Sequence, residues 1–126
     1  MNYKTDMARA TGLGSAKTGT EEWYRGRILS AALVPLTLLF LWIAAPLIGA
    51  DYETVIAAFG NPFNATVTIL FILITFKHLA DGLHEVIVDY VHAKGTLMIT
   101  LVATKLICYF FGAAGAVSVA KIAFIG

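Results

Sequence analysis

The sequence predicts an all-α integral membrane fold with three transmembrane helices, and three observations predict it. Only 13% of the 126 residues are charged, while 59% are hydrophobic. A soluble domain carries about a quarter charged residues, because a small globule has a large surface to cover. The apolar residues are gathered into long runs, not alternated with polar ones, and the residues between the runs have turn chemistry. One domain accounts for this length: a polar N-terminal tail over 1–22, then a membrane domain over 23–126 with spans at about 28–50, 63–89 and 96–120.

The tail contains Lys4, Arg9 and Lys17 among Gly, Ser and Thr, and reads as a segment that is flexible alone or ordered only by a partner. It lacks the early apolar core of a cleaved secretory signal, and it fits an Arg-rich transit peptide poorly. The first span has no charged residue from Ile28 to Ala50. As a helix it would reach roughly 34 Å, enough for a hydrocarbon core of about 30 Å. Pro35 and Pro46 lie inside it, which a membrane helix tolerates where neighbours satisfy the freed carbonyls. Asp51 and Gly60-Asn61-Pro62 mark a short polar connection to the second span.

The second span is apolar through Ile74, then carries Lys77, His78, Asp81, His84, Glu85 and Asp89 before the turn at Tyr90-Val91-His92-Ala93-Lys94-Gly95. The third contains one charge, Lys105, and a small-residue stretch, Gly112-Ala113-Ala114-Gly115-Ala116, where another helix can approach closely. Lys4, Arg9, Lys17, Arg25 and Arg27 flank the first span, Lys94 lies in the second connection, and residues 51–62 hold no basic residue. Basic flanks prefer the cytoplasmic side, so the N-terminus and the 90–96 turn are expected inside and the C-terminus in the periplasm.

Several chemistries are excluded or unsupported. A lone cysteine, Cys108, makes no internal disulfide and cannot by itself hold an iron–sulfur cluster; it reads as a small packing residue. No GxxxxGK and no GxGxxG after a strand is present. A net charge of +1 gives no reason to expect a nucleic-acid partner.

Charges inside a span cost about 3 kcal/mol each on insertion scales, so those of the second span are expected to face the bundle interior and serve a purpose. At 100° per residue His78, Asp81, Glu85 and Asp89 share a face, whereas His84 lies about 9 Å along the axis and about 240° around from His78. A buried imidazole is a common axial ligand to haem iron. Two histidine ligands must approach from opposite sides of the macrocycle, which His78 and His84 on one helix cannot do. No other histidine lies in a span, so a bis-histidine haem requires a second polypeptide. Met98 sits near the inner end of the third span, about 18 Å from the depth of His78. The plainer readings stay open: His78 can hydrogen-bond within the bundle or relay protons, Lys77 can pair with Asp81 one turn away, and Lys105 can pair with Asp81 across the hairpin.

The stretch His78-Leu79-Ala80-Asp81-Gly82-Leu83-His84-Glu85-Val86-Ile87-Val88-Asp89-Tyr90-Val91 resembles the second helix of the small hydrophobic membrane anchors of the succinate dehydrogenase family. The shared pattern is a histidine, a small residue four later, and Asp-Tyr eleven and twelve later. Glu22-Trp23-Tyr24-Arg25-Gly26-Arg27-Ile28-Leu29-Ser30-Ala31-Ala32-Leu33-Val34-Pro35-Leu36 looks like that family's entry into its first helix, in a bacterial style close to the mitochondrial one. The resemblance implies an anchor of respiratory complex II in the bacterial inner membrane. Such an anchor packs with a companion anchor of different sequence and docks to an iron–sulfur subunit and a flavoprotein. The resemblance further implies that His78 is one axial ligand to the iron of haem b, the other coming from the companion anchor. Gly82 would let the porphyrin lie against the backbone, and Arg27 would stand near the propionates. Tyr90 would hydrogen-bond a ubiquinone carbonyl, with Asp89 beside it. Without the resemblance, Tyr90 reads as an interfacial aromatic and Arg27 as a basic flank. Lys77 and Glu85 depart from the family's pattern. Two other functions remain: quinol oxidation by a fumarate reductase, and a small proton- or ion-conducting membrane protein using Lys77, Asp81, Glu85 and Lys105.

Overall fold

The computed structural model describes residues 5–7 and 16–125. Most of the expected tail, including Lys4 and Arg9, lies outside the described residues. The principal α-helices among the described residues are α1, Ala16–Ala44; α2, Tyr52–Gly60; α3, Pro62–Tyr90; and α4, Lys94–Ile125. Three segments are long and apolar enough to cross a membrane, Thr20–Leu47, Pro62–Tyr90 and Lys94–Ile125.

Helix α1 begins at Ala16, inside the segment read as tail, and runs through Pro35, which withholds an amide donor from the turn before it. Its α-helical part stops at Ala44 instead of continuing to Ala50. The residue before a proline is disfavoured in the α region, so the chain tightens into a 3-10 turn over Ala45–Leu47 containing Pro46. Gly49, at φ 81°, then turns the chain in a region that a side chain would strain.

The connection expected to be short and polar is mostly the helix α2. Asp51 caps it by accepting from the Thr54 amide at 3.2 Å, and Val55, Ile56 and Phe59 give it a partly buried face against α3 and α4. Hydrogen bonds from Thr54, side chain first and backbone second, hold the Asp51 carboxyl below its usual range. A depressed folded-state value means that the cap's contribution is complete above the unfolded value and is lost as pH falls through the folded one. Protection of the α2 amides against hydrogen exchange is therefore expected to fall as pH drops below about 4. Asp51→Asn, a cap without a titrating proton, should remove that dependence; equal acid sensitivity in both forms would contradict it. Asn61 starts α3 by accepting from the Phe63 amide at 2.9 Å, with Pro62 at the first helical position.

Two seams join the long helices. From Ser30 to Phe40 along α1, the facing residues on α3 run back from His78 to Phe71, so these helices are antiparallel. Phe40 and Phe71 stack with centroids 4.5 Å apart. On the other side of α3, Gly112 and Gly115 of α4 face Phe76 and Ile72, again antiparallel. The small-residue stretch of the third span is thus where α3 lies closest. Ala65, Val67, Ala80 and Cys108 are buried, while most large apolar side chains, among them Leu38, Trp42, Val102 and Phe110, point outward. That inverted distribution fits helices whose surroundings are themselves apolar.

Candidate functional site

His78 sits on α3 along its α1 seam. Its ring is partly exposed, and Nδ1 lies 3.4 Å from Ser30 Oγ of α1. One turn farther along α3 is Gly82, where an added Cβ would meet nothing within 4 Å. On α1, Arg27 is one turn before Ser30, and the antiparallel pairing carries it toward the level of Gly82. Its guanidinium lies 5.0 Å from the centroid of the Trp23 ring, a cation–π contact on the helix surface. Antiparallel register therefore puts Arg27, Ser30, His78 and Gly82 at similar depth, and of these Ser30 and His78 are in contact. Ser30 is the member to which the sequence alone gave no role. The available signal was a polar residue inside a span, three positions after Arg27 and so on the same helix face.

The donor chemistry here is a single imidazole, which can fill at most one position of an iron whose other ligands come from elsewhere. Among the described residues no group of three or more His, Cys, Asp or Glu is arranged to hold a metal ion, and a single imidazole binds iron well only where a macrocycle supplies the other ligands. Among the described residues the His78 imidazole has one nitrogen against a hydroxyl and the other unengaged. At Gly82 the space within 4 Å of a would-be Cβ is empty.

Asp89 and Tyr90 end α3, both exposed, Tyr90 at 80%. Ideal helix geometry separates Tyr90 from His78 by about 18 Å along the axis and about 120° around it. The candidate residues thus form two places, one at the depth of His78 and one where α3 gives way to α4.

The other ionisable residues settle differently. Asp81 pairs with Lys77 of its own helix at 2.6 Å, and not with Lys105, which is exposed on α4. Proximity decides this: the i,i+4 partner is preset by the helix, whereas the cross-hairpin pair needs two side chains to bridge a seam already filled by packing. His84 is half-buried on another side of α3 from His78, with Nδ1 buried and without a hydrogen-bond partner among the described residues. Shallow apolar concavities lie along Leu106–Phe111 of α4 and Leu33–Leu38 of α1, lined by neither His78 nor Tyr90.

Comparison with known proteins gives this arrangement a family. The model of the succinate dehydrogenase/fumarate reductase transmembrane subunits matches residues 1–115. The succinate dehydrogenase hydrophobic membrane anchor subunit of Paracoccus denitrificans is 39% identical over 90 residues, covering 71% of this chain and 70% of the relative. The membrane anchor subunit of Reclinomonas americana is 30% identical over 72% of this chain and 78% of its own length. That of Rickettsia bellii (strain RML369-C) is 25% identical over 83% and 84%. No solved structure matches significantly. With three apolar spans and a family match over most of its length, the chain belongs to the succinate dehydrogenase/fumarate reductase transmembrane subunits, as a membrane anchor subunit of succinate dehydrogenase.

Proposed function

We propose that this anchor shares a haem b with a second anchor subunit through His78, and that Tyr90 and Asp89 form part of the site where ubiquinone is reduced with electrons from succinate. In this reading the N-terminus and the α3–α4 turn face the cytoplasm of a bacterial inner membrane, in line with the basic residues around them. A flavoprotein oxidises succinate, and the electrons reach the membrane through an iron–sulfur subunit. Haem b, when bound, supplies a one-electron centre whose potential its axial ligands set.

The carrying observation is the His78 imidazole: partly exposed on a spanning helix, with Nδ1 against Ser30 and no side chain built over Gly82. The Lys77–Asp81 pair also supports a protein-facing side of α3. Its side chains are 42% and 46% exposed, and charges facing hydrocarbon cost about 3 kcal/mol each. That side is better covered by another subunit than by lipid. Arg27 supplies a fixed positive charge suited to propionates. Tyr90 donates a hydrogen bond to a quinone oxygen, and that bond strengthens as negative charge develops there on reduction. Asp89 orients the phenol or passes a proton from the adjacent aqueous side.

Tyr90→Phe tests the quinone half. Quinone reductase activity should fall by roughly a hundredfold, the scale of losing one donor to a developing oxyanion. Succinate oxidation by a soluble artificial acceptor should be unchanged in the same preparation. Equal loss of both activities would place the defect in assembly and overturn this role for the phenol.

A further inference from the structure

We propose that Ser30 is a positioning residue for His78: its Oγ accepts the Nδ1–H of the imidazole, fixes the tautomer, and turns Nε2 outward as the nitrogen that meets iron. This rests on the haem reading above and goes beyond it by assigning the group that orients the ligand.

The assignment starts from where the hydroxyls of the spanning helices go. Thr37, Thr66, Thr100 and Ser118 each donate to the carbonyl four residues back, at 2.6 to 2.7 Å. This is the ordinary way a helix absorbs a hydroxyl in an apolar setting. Ser30 instead reaches across the α1–α3 seam, 48 residues away in sequence, to the ring nitrogen of His78 at 3.4 Å. An imidazole that gives Nε2 to iron carries its proton on Nδ1, so Nδ1 is the donor and the hydroxyl oxygen the acceptor. Histidine ligands almost always have such an acceptor behind them, and it raises the basicity of the coordinating nitrogen. The Phe40–Phe71 stack on the same seam fixes how α1 lies on α3. The register of the two helices therefore brings the Ser30 hydroxyl and the exposed His78 ring to the same level of the seam.

The test uses the purified whole complex and two readouts: the haem midpoint potential, by spectroscopically monitored redox titration, and the low-spin ferric signal in electron paramagnetic resonance. Ser30→Ala should shift the potential upward, because a less basic imidazole favours ferric iron less. It should also change the ferric signal and loosen the haem by about tenfold, the low end for removing such a partner. Ser30→Thr, which keeps the hydroxyl, should restore both readouts. If Ser30→Ala does not assemble, Ser30→Cys, nearly the same size and a poor acceptor, is measured with the same expectations. A Ser30→Ala or Ser30→Cys complex with parental potential and signal overturns the assignment. Failure of the underlying reading looks different: a parental complex without haem, or a His78→Leu complex with an unaltered haem spectrum.

Discussion

Replacing His78 with leucine is expected to abolish the haem b absorption of the purified complex or convert it to a high-spin form, while the three spans still insert and assemble. The imidazole is partly exposed and contributes one long hydrogen bond to the seam. Its loss therefore removes little packing, and leucine adds apolar surface to a helix that already carries exposed leucines at 73, 79 and 83. Chemically the change is large, because leucine offers no lone pair and iron would retain a single protein ligand from the partner. His84→Leu is the internal control. That ring lies about 240° around α3 from His78 by helix geometry, so its removal should leave the haem spectrum in place. Equal spectra in the parental and His78→Leu complexes would remove the ligand assignment, and equal loss in both variants would point to a general defect of α3.

Gly112→Leu is expected to cause the largest loss of stability of any single change on α4. A Cβ at this position would lie 3.1 Å from Phe76 Cβ, an atom fixed to the α3 backbone that cannot swing aside. The helices would have to separate, and Gly115, whose own Cβ would lie 3.2 Å from Ile72 Cγ2, loses its close approach at the same time. Overpacking of this kind costs about 1–3 kcal/mol; a side chain longer than a methyl group belongs at the top of that range. Membrane helices gain their association mainly from such packing, so little else compensates. The measurement is the temperature of irreversible haem and activity loss in detergent, compared with Ala113→Leu, which adds a side chain of the same size at an exposed position one residue away. A lowered temperature for Gly112→Leu alone is the expected result; matching behaviour of the two variants would contradict the seam.

The sequence read the architecture well where physics is local. Charge-free length specifies a span, Gly60-Asn61-Pro62 marks the break before the second one, and the Gly112–Ala116 stretch specifies a close seam. It read poorly where two local tendencies compete. Pro46 sat inside an apolar run long enough to span, and its backbone restriction ended α1 before Ala50. Asp51 looked like a loop residue and is a cap, which makes most of the connection helical. Partners across seams were the least legible. Asp81 had two cations within reach by spacing, and helix geometry gave it to Lys77. Ser30 carried a hydroxyl that in most spans folds back on its own helix, and only the register of α1 on α3 reveals that it meets His78. The site itself was visible chiefly as a motif, His78, Gly82, Asp89 and Tyr90. Its division into two places, along one helix but about 120° apart, follows from the same spacing once the helix is known to be continuous.

The central claim is that this anchor holds half of a shared haem. Its most direct test is a reduced-minus-oxidised difference spectrum of the purified, unmodified complex, with haem extracted and quantified against this chain. The account predicts a b-type spectrum at about one haem per copy of the chain, from a low-spin iron with two imidazole ligands. A complex that oxidises succinate and reduces quinone yet contains no haem would contradict it, leaving the imidazole of His78 and its Ser30 partner without the function proposed for them.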